Sequence, residues 1–147
     1  MSTEPQEIRI AADVEQLAAV RQFVRENAQV LGASQLDQDQ LIQAVDELVA
    51  NTIDHGLEGC DSCDGEVSVA LWAEGEEMVV RLVDNAPPFD PTQVPPPDLS
   101  RPLEVRISGG LGIFLARRFT DCMTYRLTAD GKNELTLRKR ISPAAED

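Results

Sequence analysis

Apolar residues recur every three or four positions from Val14 to Leu31 and again from Leu41 to Ile53. In shorter stretches they recur every second position. The first spacing is that of an amphipathic helix and the second that of a strand with one buried face. Ile8 and Ile10 mark an edge strand over residues 7–11. Asp13 is a candidate N-cap for the first helix, and Gly32 is its natural stop. Ser34 or Asp37 starts the second helix, which runs to Gly56. EVSVALWA (66–73) and MVVRLVD (78–84) alternate about a turn at Gly75, as a hairpin does. A third helix follows Gly109-Gly110-Leu111-Gly112 and runs from Ile113 to about Thr120. Residues 121–128 and 133–140 form a second hairpin across Asp130-Gly131. Strands that cluster in hairpins, without βαβ alternation, predict an α+β domain with helices layered on one face of a mixed, mainly antiparallel sheet.

One stretch breaks this regularity. Residues 85–108 carry no period and hold Pro87, Pro88, Pro91, Pro95, Pro96, Pro97 and Pro102. Proline removes backbone donors and blocks regular structure, and so long a loop in a small domain reads as a lid. We place it at about residues 86–108 and expect it to be mobile without ligand.

The second helix carries the chemistry. With Leu41 as zero, its apolar residues span roughly 340° through 120°, while Glu47, Asn51 and His55 fall at roughly 240°, 280° and 320°. These three form a ridge that slants from the solvent side into the margin of the buried stripe. Polar groups there need partners, since leaving one buried and unpaired costs about 1–3 kcal/mol. On the strand ending at residue 84, Met78, Val80, Leu82 and Asp84 share a face, so a carboxylate continues an apolar row.

Charge narrows the partners. A net charge of −13 over 147 residues repels nucleic acid and anionic membranes and favours a basic protein surface. The start MSTEPQEIRI has neither the basic nor the apolar region of a secretory signal, and no stretch approaches a bilayer span, which reads as soluble and cytoplasmic. Cys60, Cys63 and Cys122 are an odd number, against a disulfide framework. Cys60 and Cys63 lack two further ligands for zinc and lie among Glu58, Asp61 and Asp64, so they read as an incidental pair.

Three blocks occur in order: Glu47-Leu48-Val49-Ala50-Asn51 with His55-Gly56; Asp84-Asn85-Ala86-Pro87-Pro88-Phe89-Asp90-Pro91; and Gly109-Gly110-Leu111-Gly112-Ile113, with Asp121 after the helix. The glycine block is not a Walker A loop, because no Gly-Lys-Ser or Gly-Lys-Thr follows. No GxSxG supports a Ser-His-Asp triad around the single histidine. Each block alone is weak. Together, with the proline-rich lid between the second and third, they resemble the N, G1 and G2 boxes of the GHKL ATPases (gyrase, histidine kinases, MutL). Within that group they are most similar to the anti-sigma factor serine/threonine kinases of the RsbW and SpoIIAB type. The resemblance spans nearly the whole chain and implies one ATP-binding domain over residues 1–147, a two-layer α/β sandwich of the Bergerat fold.

The resemblance also implies roles. Glu47 is the general base for the attacking hydroxyl, and Asn51 gives its side-chain oxygen to Mg²⁺. Asp84 accepts the adenine amino group. His55, Ala86, Pro88, Phe89, Gly109, Gly110, Leu111, Gly112 and Ile113 belong to the nucleotide site. The chain departs from the pattern twice: the family's Asp-x-Gly is here Asp84-Asn85-Ala86, and the arginine common before the glycine block is replaced by Ser108. Arg106, or Arg101, is left for the γ-phosphate. The implied activity is ATP-dependent phosphorylation of a serine on a STAS-domain antagonist, with a sigma factor as the other client and a homodimer as a common assembly. The alternative is a nucleotide-gated binding switch with little or no kinase activity. Detached histidine-kinase and gyrase-like roles fit less well, for want of a phosphoacceptor helix, a transducer domain or a basic surface.

Overall fold

The computed structural model describes residues 2–56, 65–96 and 110–142. In chain order these form strand β1 (Gln6–Ala11), helix α1 (Leu17–Val30), helix α2 (Gln35–Asn51), strands β2 (Glu66–Glu74) and β3 (Glu77–Asp84), helix α3 (Gly110–Phe119), and strands β4 (Cys122–Leu127) and β5 (Asn133–Arg140). The sheet order is β1-β2-β3-β5-β4, and each of these neighbouring pairs is antiparallel. The α+β layering is as the hairpin pattern predicts, but the described sheet has no parallel pair. No described helix is long and apolar enough to cross a membrane.

Local chemistry explains the helix limits. Asp13 caps a short 3-10 turn at Val14–Gln16, accepting from the Glu15 N–H, and this turn leads into α1. Gly32 takes a φ of +85°, the left-handed conformation in which glycine avoids the steric cost of a β-carbon. Ser34, not Asp37, caps α2: its hydroxyl accepts from the Asp37 N–H at 3.1 Å. At its far end α2 loosens into a π turn at Thr52–Gly56, where the Thr52 hydroxyl donates to the Leu48 carbonyl.

The core lies between one face of the sheet and the helices. Val20 and Val24 of α1, Leu41, Val45, Leu48 and Val49 of α2, and Ile113 and Ala116 of α3 pack on Val69, Leu71, Val80, Leu82, Leu135 and Leu137. No described helix covers the other face. Its rows mix the apolar Ala70, Trp72, Val79 and Val83 with charged residues, including the ion pairs Arg9–Glu7 and Arg126–Glu134, and the Arg81 guanidinium lies 5.2 Å from the centre of the Trp72 ring.

One buried cation ties the layers. Lys139 Nζ donates to Gln40 Oε1 and the Phe119 carbonyl at 2.8 Å each and lies 3.8 Å from Asp37 Oδ1. The other Asp37 oxygen accepts from the Ser142 N–H. The start of α2, the end of α3 and the end of β5 therefore meet at one ammonium. Breaking a buried pair by removing one partner leaves an uncompensated charge. Lys139→Met is expected to lower the unfolding free energy by about 3 kcal/mol in urea titration. A loss below about 1 kcal/mol, the scale of a surface pair, would show that the ammonium is not a tie.

Candidate functional site

α2 presents its polar flank to the first turn of α3. Glu47 and Asn51 are half-buried there, one helical turn apart. Gln43 Nε2 donates to Glu47 Oε1 at 2.8 Å. The other carboxylate oxygen rests against Gly112, so closely that a β-carbon at that residue would stand 2.5 Å from Oε2. This contact joins the first block to the third. Gly110, Leu111 and Gly112 do not precede the helix as a loop, as their composition predicts; they are its first turn. Leu111 is half-buried and Ile113 enters the core. The regular α-helical projection of the ridge ends at Asn51, because residues 52–56 follow the π path. The side chain of His55 lies outside the described residues.

The sheet contributes a second group of residues. In the register Ile10–Val67–Asp84–Asn133–Leu127, Asp84 ends β3 directly beside Asn133, which begins β5. Asn133 is only 6% exposed. Its Nδ2 donates to Asp84 Oδ1 at 2.9 Å and to the carbonyls of Ala86 and Pro87 at 3.1 and 3.2 Å. Its Oδ1 accepts from the Phe89 N–H at 3.1 Å and from the Tyr125 hydroxyl. One amide thus binds the carboxylate and fastens the loop that follows it. The Ala86 N–H also donates to Asp84 Oδ1, at 2.9 Å. With Oδ1 taken twice, the carboxyl is held in rotation, and Oδ2 is the oxygen left for a ligand. Burial pushes the Asp84 carboxyl above the ordinary aspartate value, against the opposing hydrogen bonds from Asn133 and the Ala86 N–H.

Ala86, where the family pattern has glycine, has no positive φ, and its methyl joins the core at 5% exposure. The backbone path therefore does not require glycine at this position. Pro88 and Phe89 are exposed at the mouth of the loop. The stretch from Asp90 to Val94, in the first part of the expected lid, is built into the fold. Asp90 caps a 3-10 turn at Pro91–Gln93, and the Arg117 guanidinium on α3 donates to the carbonyls of Thr92 and Val94. Asp121 fastens the end of α3 to β5 by accepting from the Arg140 N–H at 2.6 Å.

No period or motif in the sequence marks Asn133, Tyr125 or Arg117. The Asp130-Gly131 turn fixes the β4–β5 hairpin, but the pairing of β5 with β3, which sets Asn133 beside Asp84, is a tertiary fact. The expected residues Arg101, Arg106, Ser108 and Gly109, most of the lid with its expected mobility, and Cys60 and Cys63 lie outside the described residues.

The donor set fits a divalent ion that arrives with phosphates. Among the described residues no cluster of three or more His, Cys, Asp or Glu could hold a metal. Asn51 offers a single neutral oxygen on the half-buried flank, suited to Mg²⁺, which keeps waters and phosphate oxygens as its other ligands. A cavity of about 350 Å³, lined in part by Arg9, Ser68, Arg81, Val83, Asp84 and Glu134, opens at the sheet, and no residue of α2 lines it.

A family model described as the histidine kinase-like ATPase domain matches residues 10–139. The chain is 30% identical over 103 residues to the serine/threonine-protein kinase BtrW of Bordetella bronchiseptica, covering 70% of each chain. It is 32% identical over 82 residues to the serine-protein kinase RsbW of Listeria monocytogenes, a match that covers 53% of this chain and about half, 51%, of the relative. Among solved structures, that of the RsbU and RsbW domains of a Mycobacterium tuberculosis protein superposes with a TM-score of 0.66 at 21% identity. That superposition covers 99% of this chain and 35% of the other, and so speaks for the fold.

The raised Asp84 value carries a sign. The unfolded chain ionises this carboxyl at the ordinary value, while the folded chain keeps the proton to higher pH. The position therefore favours folding most below the ordinary aspartate value, and that contribution is lost as pH rises through the folded value. Asp84→Asn preserves an acceptor for Asn133 and Ala86 and removes the charge. It is expected to raise the Tm at about pH 7, with the gain shrinking by about pH 3.5. Equal gains at both values in thermal melts would mean that ionisation is not the cause.

Proposed function

The chain belongs to the histidine kinase-like ATPase domain family, in its group with the RsbW and BtrW serine kinases, and from that premise we propose an ATP-dependent serine/threonine protein kinase that switches between protein partners. The observation that carries this reading is the seat of Glu47 against the first turn of α3, with Asn51 one turn further along the same flank. A base, an oxygen ligand and a helix start are gathered at one end of the helical layer, while Asp84 is held ready at the end of the sheet.

In this reading Asp84 Oδ2 accepts the adenine amino group, and Ala86, Pro88 and Phe89 border the base. Backbone N–H groups of Gly109, Gly110, Leu111 and Ile113 receive phosphate oxygens at the start of α3. Asn51 holds Mg²⁺, which when bound neutralises phosphate charge. Glu47 takes the proton of the acceptor serine hydroxyl while its oxygen forms a bond to the γ-phosphorus. The bond to the bridging oxygen breaks, and ADP departs with that electron pair. His55 supports the nucleotide, and Arg106 is the cation assigned to the γ-phosphate. The acceptor is a STAS-domain antagonist. Its unphosphorylated form captures the kinase and frees a second client, a sigma factor. The net charge of −13 supports clients with basic surfaces, and the helix-free face of the sheet is available for a homodimer.

Incubation with Mg·ATP and a STAS-domain protein from the same cell is expected to yield phosphoserine. Glu47→Ala should slow transfer by at least about 100-fold while nucleotide binding persists. Asp84→Asn should abolish nucleotide binding, because its outward group becomes a donor facing the adenine amino group. Nucleotide affinity of the native protein should fall as pH drops through the raised Asp84 value. Nucleotide-dependent complexes without any transfer would instead make the protein a binding switch.

A further inference from the structure

Gly112 poses a question that its expected role leaves open. It lies inside α3, where glycine is less favourable than alanine. Its φ is not positive, so the backbone does not demand glycine. What a side chain lacks there is room. A β-carbon would stand 2.5 Å from Glu47 Oε2, 3.4 Å from its Cδ and 3.6 Å from its Cβ. Only the first distance is a clash, and it falls on the reactive end of the side chain.

We propose that Gly112 is a positioning residue for Glu47: its bare Cα forms the seat of the carboxylate, and its task is to place the base, not to bind phosphate. Gln43 completes the seat from the preceding turn of α2 by donating to Oε1 at 2.8 Å. The carboxylate is thus held between an amide on its own helix and a gap on the facing one. The fold can absorb an added methyl at small cost, since the atom it meets is the tip of a flexible side chain. The chemistry cannot, because that tip has to meet the substrate proton. The inference rests on the reading of Glu47 as the general base.

The test is Gly112→Ala, with phosphoryl transfer, ATP affinity and Tm measured side by side, in the native background and with Glu47→Ala. Transfer should fall at least about tenfold, within the about hundredfold that an ångström of misplacement can cost, while ATP affinity stays within about twofold. The Tm should hold or rise in the native background and rise further when Glu47 is Ala, since the methyl then meets no carboxylate. Gln43→Ala, which leaves α3 untouched, should slow transfer with ATP affinity unchanged. ATP affinity that falls in step with transfer in Gly112→Ala would assign Gly112 to the phosphates and overturn the proposal. So would equal Tm changes in the two backgrounds, or undiminished transfer in both variants. If the native protein transfers no phosphate, the kinase reading fails, and the Tm comparison still decides whether Gly112 seats Glu47.

Discussion

The pairing of β3 with β5 is the constraint on which the site depends. It sets Asn133 beside Asp84 and lets one side-chain amide meet five protein groups. Two N–H groups serve three acceptors, so one donor is shared, and all of the bonds rest on one buried residue. Shifting the ladder by one position would turn Asn133 to the opposite face and release the carboxylate, the loop from Ala86 to Phe89 and the Tyr125 hydroxyl together. The same register lines up Val69, Leu82 and Leu135 under the helices. Hydrophobic burial therefore enforces the alignment that the polar cluster needs.

The helical layer is positioned by a comparable economy. Lys139 reaches from β5 to the start of α2 and the end of α3, while the opposite end of α3 meets Glu47. α2 is capped by Ser34 at one end and loosened into a π turn at the other. The looser end is the one that carries Asn51 and leads to His55. Loops ordered by buried polar ties and a helix ending in wide turns place the candidate chemistry at the margin of the core, where side chains are only half-buried.

Much of this was legible in residue periods. The two long helices, both hairpins and the place of Asp84 on an apolar row follow from spacings of 3.6 and 2, which reflect burial directly. The family resemblance gave roles to Glu47, Asn51 and Asp84 that spacing alone left open. Other features depend on contacts between distant segments. Gly110 to Gly112 have the composition of a loop, yet they wind into the first turn of α3, which packs on α2 against Glu47. The π turn is hidden because a four-residue interval looks the same on paper whichever helix it follows. Asn133 is an unremarkable polar residue at a strand start until its neighbour is known. The sheet, expected to be mixed and mainly antiparallel, is antiparallel throughout its described pairs: hairpins supply β2–β3 and β4–β5, while β1–β2 and β3–β5 pair across longer connections.

The glycine within α3 has a bearing on redesign. Procedures that improve a protein by helical preference would replace Gly112 early, since alanine suits the position and the surrounding fold would accept it. The resulting protein could be sound by every measure of folding and yet hold its carboxylate in the wrong place. On the proposed reading the absence of an atom is the functional group, and a residue that contributes nothing to the core marks open ground beside the carboxylate.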